Sequence, residues 1–450
     1  MTRSRIIMTR QAWPWLALAG LALALAACAP GNGVAEEEPP PEDEPDAPDE
    51  EEEAEDVALR VTVWTGADEH LAMFDDIADA FIAEHDRVSE IEFDVLPFEE
   101  YNDALTVQLA GGNPPDLGWV FERNAPEFIE AGVLADVGPA LQDDPGYDFD
   151  DISESALGLW QEDDAVHAYP FSTSPFNIFY NEDLFTEADL ELPSDLYESG
   201  DWTWEAVRGA GTQIVDADVA SHGFVVRDFD YTIWDNLATV WRGFGARAWS
   251  EDGVECGMNS PEMVDAMTFF HGAVFDDAAH PGPGQSADFF AGDAAMTVTQ
   301  ISRATLLEDD GFAWGVVPLP AGPAGDAQVV GQAGVGVFGQ SAHIDAATEF
   351  LAFMTNEENS RTMAQFFPPP RESLLTADVL AETNPRLSEQ QLEDVVIQGI
   401  AEGDAIPSHR NFAQLSDTIR ADLDALWEDD ADVPAVLNSV CEAAQPLLEQ

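Results

Sequence analysis

A two-lobed α/β protein is what this sequence predicts, and three observations carry the prediction. About 390 residues remain once a leader and an acidic spacer are set aside, more than one ordinary domain holds. From residue 59 onward, short alternating apolar stretches trade places with longer segments of helical periodicity. Past residue 167 the pattern becomes extended and aromatic, and a second series of helices and strands follows.

The elements follow in order. Residues 59–64, Leu-Arg-Val-Thr-Val-Trp, alternate as a strand and turn at Thr65-Gly66. Residues 69–85 read as a helix with Leu71, Phe74, Ile77, Ala80 and Phe81 on one face. A strand over 91–96 and a helix over 99–110 come next, closed by Gly111-Gly112-Asn113-Pro114-Pro115. A short strand at 117–121 leads to a helix over 126–130 that stops at Gly132. The stretch 167–180 is extended. Residues 204–214, 260–275 and 346–354 look helical; 294–298, 313–317 and 335–338 look like strands; the part from 388 onward is mostly helical.

The first thirty residues have a different character. Arg3, Arg5 and Arg10 precede an apolar run, 13–27, that ends in Leu25-Ala26-Ala27-Cys28. Basic, apolar, then small is the layout of a secretory signal. The run is short for a stable membrane span. Leu-Ala-Ala-Cys resembles the bacterial lipobox, which implies lipidation of Cys28 and cleavage just before it, with several acyl chains giving stable anchoring. A plain secretory peptide with a chance cysteine is the alternative, and Met8 could serve as the start. Residues 36–56 hold fourteen acids among 21 residues, with proline between them. Such a segment repels itself and reads as an extended spacer.

The chain carries 89 acidic and 16 basic residues, and every basic one is arginine. With the leader and spacer set aside, 13 arginines against 75 acids leave −62 for residues 57–450. That balance argues against a nucleic-acid partner and against lying flat on an anionic membrane. It suits either cationic ligands or, the reading preferred here, an acidic solvated surface that keeps the protein soluble. Beyond Cys28 only Cys256 and Cys441 remain. Outside the cytoplasm they can form a disulfide; two buried thiols are the other reading. The eight histidines show no metal-ligand spacing, and there is no Gly-x-Ser-x-Gly elbow and no phosphate loop. No cofactor and no metal are expected.

Seven short motifs occur in a meaningful order: Val61-Thr62-Val63-Trp64, Gly111-Gly112-Asn113-Pro114-Pro115-Asp116, Ala131-Gly132-Val133-Leu134-Ala135-Asp136, Ala168-Tyr169-Pro170 with Phe179-Tyr180-Asn181-Glu182-Asp183-Leu184-Phe185, Trp202-Thr203-Trp204-Glu205, Phe289-Phe290-Ala291-Gly292-Asp293-Ala294-Ala295-Met296, and Val317-Pro318-Leu319-Pro320-Ala321-Gly322-Pro323. In that order and spacing the chain resembles the extracellular solute-binding proteins of bacterial ABC importers, the family that includes maltose-binding protein, over most of 58–375. The resemblance implies a periplasmic-binding-protein-like fold of the class II type, with a ligand cleft between lobes that close by a hinge. The leader and spacer read as a signal peptide at 1–27 and an anchor and spacer at 28–56; the resemblance implies a first lobe from 57–168 plus 321–366 and a second from 169–320 plus 367–450. It implies a monomer, tethered by lipid to the outer face of the cell membrane, that hands a small solute, a carbohydrate above all, to permease subunits.

A sugar needs flat apolar surface for its C–H faces and polar groups for its hydroxyls. Trp64 ends the first predicted strand, Asp68 follows it, and Trp119 sits on the third strand before Glu122-Arg123. By the resemblance these positions face the ligand, as do Ser174, Tyr231, Trp234, Ser302, Gly331, Gln332 and Arg371. Ser174 stands where a ligand carboxylate is expected, and Ser302 where a stacking tryptophan is, which counts against maltose itself. Trp64 and Trp119 could equally be core; Trp234 and Trp241 share a helix face and could pack together; Glu122-Arg123 could be a surface ion pair; Arg371 could pair internally. Three other functions compete: a carbohydrate-active enzyme hidden among the carboxylates, a binder of polyamine, betaine, peptide or polyol phosphate, and a sensory or structural protein.

Overall fold

The computed structural model describes residues 56–307 and 311–450. The leader, Cys28 and nearly all of the acidic spacer lie outside the described residues. No helix among the described residues is long and apolar enough to cross a membrane.

The fold opens with strand β1, Val57–Val63, helix α1, Asp68–Glu84, and strand β2, Val88–Val95. β1 and β2 pair in parallel from Val57 to Val63, with α1 as the crossover between them. α1 buries Met73, Phe74, Ile77, Ala78 and Phe81. Relative to the expected face, Ala80 turns out to solvent and Met73 and Ala78 turn in, a small rotation of the stripe. Helix α2, Tyr101–Ala110, strand β3, Leu117–Phe121, and helix α3, Ala125–Glu130, complete the first run. Every residue of β3 is buried, as expected for a strand covered on both faces.

Two long strands then tie the molecule together. Tyr169–Asn181 is thirteen residues long and buried throughout. Its first half pairs antiparallel with the strand Val329–Val337, and its second half with Ala294–Gln300 and Trp314–Pro318. Val329–Val337 in turn pairs with β3. The hydrogen-bonded order is therefore β2, β1, β3, Val329–Val337, Tyr169–Asn181, Ala294–Gln300, His222–Val226. The long strand feeds a different core with each half, Tyr169 and Phe171 on one side and Phe176, Ile178 and Tyr180 on the other. One cluster gathers Leu59, Val61, Phe74, Trp119, Phe171, Val335, Phe350 and Phe367. Another gathers Ile178, Trp204, Phe224, Trp234, Met267, Val298, Phe412 and Leu437. These are the two lobes of a two-lobed α/β fold.

The strand His222–Val226 has no clear signal in the sequence. Its Gly223 lies against Gly211 of the helix Trp204–Asp216, where a Cβ would sit 2.1 Å from the Gly211 Cα. The glycine pair lets helix and strand backbones touch, and it also strips the strand of the β-branched start that would announce it. Cys256 and Cys441 are joined in a disulfide with Cα atoms 5.6 Å apart, which staples a loop to the helix Val433–Leu448.

Candidate functional site

Between the lobes lies a cavity of about 570 Å³, within the range of small-molecule sites. It opens at the carboxyl ends of β1 and β3, where open α/β sheets place their ligands.

The first lobe supplies an aromatic wall. Trp64 follows β1 and stacks on Phe121 at 4.2 Å between ring centroids, 12° from parallel. Its edges meet Trp119 at 4.8 Å and Tyr101 at 5.1 Å. The Tyr101 hydroxyl donates to the carbonyls of Trp119 and Thr62, which ties the helix under this platform to both strands. Trp119 packs on Phe171 at 4.7 Å, Phe98 and Phe367 complete this wall, and Phe176 joins the lining from the second lobe's core. His70 hydrogen-bonds Thr65 at 2.8 Å, and burial together with the nearby Arg303 guanidinium pushes its imidazole down to about 4, so it is neutral at ordinary pH.

The second lobe faces this wall with polar groups. Arg227 and Arg303 converge on Asp228, at 3.6 Å and 3.2 Å, and Arg227 also lies 3.8 Å from Asp288. Asn236, Thr299, Gln300, Ser302 and Thr305 stand around them. At the seam, Gln332 is oriented by the Trp160 indole, whose N–H donates to its Oε1 at 3.0 Å. Gly331 beside it leaves room for the Gln300 amide, whose Nε2 would lie 1.9 Å from a Cβ at that position. Glu122 is buried, and burial pushes its carboxyl up to about 7, against the pull of Arg123. Arg123 pairs with Asp235 of the other lobe at 3.0 Å.

The structure therefore brings together Trp64, Asp68, Trp119, Glu122, Arg123, Ser302, Gly331 and Gln332 on one cavity. Four of the expected residues lie elsewhere. Ser174 is buried in the long strand, and its hydroxyl accepts the Ser302 backbone N–H at 3.2 Å; Ser172 lines the cavity instead. Tyr231 leans on Trp427 at 5.0 Å and donates its hydroxyl to the Pro281 carbonyl. Trp234 is core: it stacks near Trp241 at 6.0 Å and Phe412 at 6.4 Å, and its N–H donates to Ser416. Arg371 has no exposed surface and is a clamp, donating to the carbonyls of Tyr147, Asp148 and Thr355.

Sequence reasoning missed Arg227, Asp228 and Arg303. Their signal was arginine scarcity: like Arg123 after β3, Arg227 and Arg303 sit just past strand ends, three of the thirteen arginines beyond the spacer.

Two lobes that share long strands across a lined cleft define the architecture of a solute-capturing receptor. The chain belongs to the family of bacterial extracellular solute-binding proteins, whose model matches residues 72–361. A binding protein of Brucella abortus is 22% identical over 67% of this chain and 72% of its own. The arabinooligosaccharide-binding protein of Bacillus subtilis is 23% identical over 80% of this chain and 85% of its own. An ABC substrate-binding protein of Listeria monocytogenes, solved in complex with cycloalternan, superposes with a TM-score of 0.76 at 23% identity, over 87% of this chain and 99% of that one.

Proposed function

We propose that this protein is the lipid-anchored receptor of an ABC importer and that its solute is an uncharged oligosaccharide. The observation that carries the reading is the division of the cleft. An aromatic platform faces a polar wall in which each of the three arginines already has a carboxylate partner. Glu122 and His70 are held toward their neutral forms. Such a site offers stacking surface and hydrogen bonds, with its arginines matched by carboxylates and Asp68 and Glu69 as the lining's remaining charge, which suits hydroxyl-rich rings better than a polyol phosphate. Relatives named for arabinooligosaccharide and solved with cycloalternan agree with it. Trp64, Asp68, Trp119, Glu122, Arg123, Ser302, Gly331 and Gln332 are the proposed contacts, joined by Arg227, Asp228 and Arg303.

The first lobe is assigned to 57–168 plus 321–366 and the second to 169–320 plus 367–450, with Phe171 of the crossing strand and the boundary residue Phe367 reaching into the first lobe's core. Cys28 is assigned as the acylated residue and 28–56 as the tether. The intact mass of the membrane-extracted protein reads the acylation directly; a chain that still carries residues 1–27 refutes it. Family members are binding proteins, and turnover is not expected of this one: oligosaccharides incubated with it should be recovered uncleaved.

A thermal-shift panel tests the solute class, because a ligand raises the midpoint by mass action. Neutral oligosaccharides should raise it. A rise confined to polyamines, betaines or phosphorylated polyols would overturn the carbohydrate assignment.

A further inference from the structure

Two contacts join the lobes at one edge of the cleft. Arg123 sits between Phe121 and Ala125, both in the first lobe's core, whereas Asp235 sits between Trp234 and Asn236, next to the second lobe's core. The Arg123 Nη1 donates to Asp235 Oδ1 at 3.3 Å and lies 3.0 Å from Oδ2, with the carboxylate only 2% exposed. Four residues on, in the first turn of α3, the Glu127 carboxylate accepts the Ala413 backbone N–H at 3.2 Å. Ala413 belongs to the first turn of the helix Phe412–Leu423, and the N-cap residue of that helix, Asn411, makes no side-chain cap. First-turn amides lack partners inside their own helix, and the positive end of the helix favours an anion. A first-lobe carboxylate thus does for a second-lobe helix what its own cap residue does not. Asp235 and Glu127 lie outside the lining of the cavity.

We propose that the pairs Arg123–Asp235 and Glu127–Ala413 form a latch that draws the lobes together before solute arrives. Asp235 and Glu127 are then positioning residues: they touch no solute, yet they set the fraction of ligand-free protein that stands open. Opening returns both carboxylates and the guanidinium to water, so the latch gains only the difference between paired and hydrated states. A device of that modest strength can bias a hinge without freezing it. A closed fraction in the free protein lowers the entry rate in proportion and retains solute once it is inside. The proposal does not depend on the chemistry of the solute.

Small-angle X-ray scattering on the full chain, stripped of copurified solute, tests it without any ligand. Wild type, Glu127→Ala, Asp235→Asn and the double variant are compared at matched salt, each with a thermal melt to confirm one cooperative transition. The radius of gyration should grow in each single variant and grow further in the double. An unchanged radius in the double variant overturns the latch. Should the buried Asp235→Asn fail to fold, the part-exposed Glu127→Ala decides by itself, and an unchanged radius there overturns it equally.

Discussion

Arginine is so scarce in this chain that where each one points is informative, and Arg371 and Trp64 make opposite cases. Arg371 ties the loop 147–151 to Thr355 through three carbonyls and an Asp151 contact at 3.4 Å. Arg371→Ala leaves those acceptors buried and unpaired, so a loss of about 3–5 kcal/mol in urea unfolding is expected. Solute affinity of the surviving folded protein should hold; a stable variant that has lost binding would return Arg371 to the cleft. Trp64 is partly exposed and presents one ring face away from Phe121. Trp64→Ala should weaken oligosaccharide binding roughly tenfold in calorimetry, the scale of about 1.4 kcal/mol for an aromatic contact. Glu122 adds a pH dependence. Its carboxyl rises from 4.5 in the unfolded chain to about 7 in the fold. Below the lower value both states hold the proton. Between the two the unfolded chain releases it first, so stability falls as pH rises, by up to about 3 kcal/mol, and levels off above. Glu122→Gln should flatten that decline in denaturant titrations run across the window; an unaltered slope counts against a neutral buried Glu122.

At the scale of elements, the fold hangs on strands that serve two sheets. Tyr169–Asn181 changes partners near Pro175 and Phe176, from Val329–Val337 to Ala294–Gln300. Sequence alone showed that this stretch is extended and aromatic, because periodicity is local. It could not show that the strand crosses between lobes, because pairing is not local. The same limit explains Val329–Val337, expected only over 335–338: its first residues, Val-Val-Gly-Gln-Ala-Gly, lack alternation because both faces are buried. The disulfide is the strongest element-scale constraint. It closes a span of 185 residues, so replacing both Cys256 and Cys441 by Ser should cost about 2–5 kcal/mol of stability. An unchanged urea midpoint in the double variant would show that the helix Val433–Leu448 holds its place by packing alone.

For the whole molecule the charge dominates. The 75 acids past the spacer face 13 arginines, while the cleft's lining carries three arginines against four acids, Asp68, Glu69, Glu122 and Asp228. The excess negative charge therefore belongs to the outer surface, where self-repulsion opposes compactness and salt relieves it. The melting temperature should climb steadily from about 0.05 M to about 1 M KCl, as the Debye length shrinks to a few ångströms. A flat or falling midpoint would mean that local ion pairs, which salt weakens, outweigh the general repulsion.

What the sequence determined by itself was whatever depends on neighbours in the chain: the α/β alternation, the helix stops, the motif order that marks the family, and the residues at the ends of β1 and β3. The place of Trp64, Asp68, Trp119, Glu122 and Arg123 on the cavity wall was legible for that reason, since the end of a parallel strand is a location that can be read locally. Only the tertiary structure decided which side chains turn into the cleft from the second lobe. Trp234 and Arg371 had the chemistry of ligand contacts and went to core and clamp. Arg227, Asp228 and Arg303 had no motif and line the cavity. The physical reason is that a strand or turn declares its own conformation, whereas the partner of an indole or a guanidinium is chosen by what the fold brings across from more than a hundred residues away.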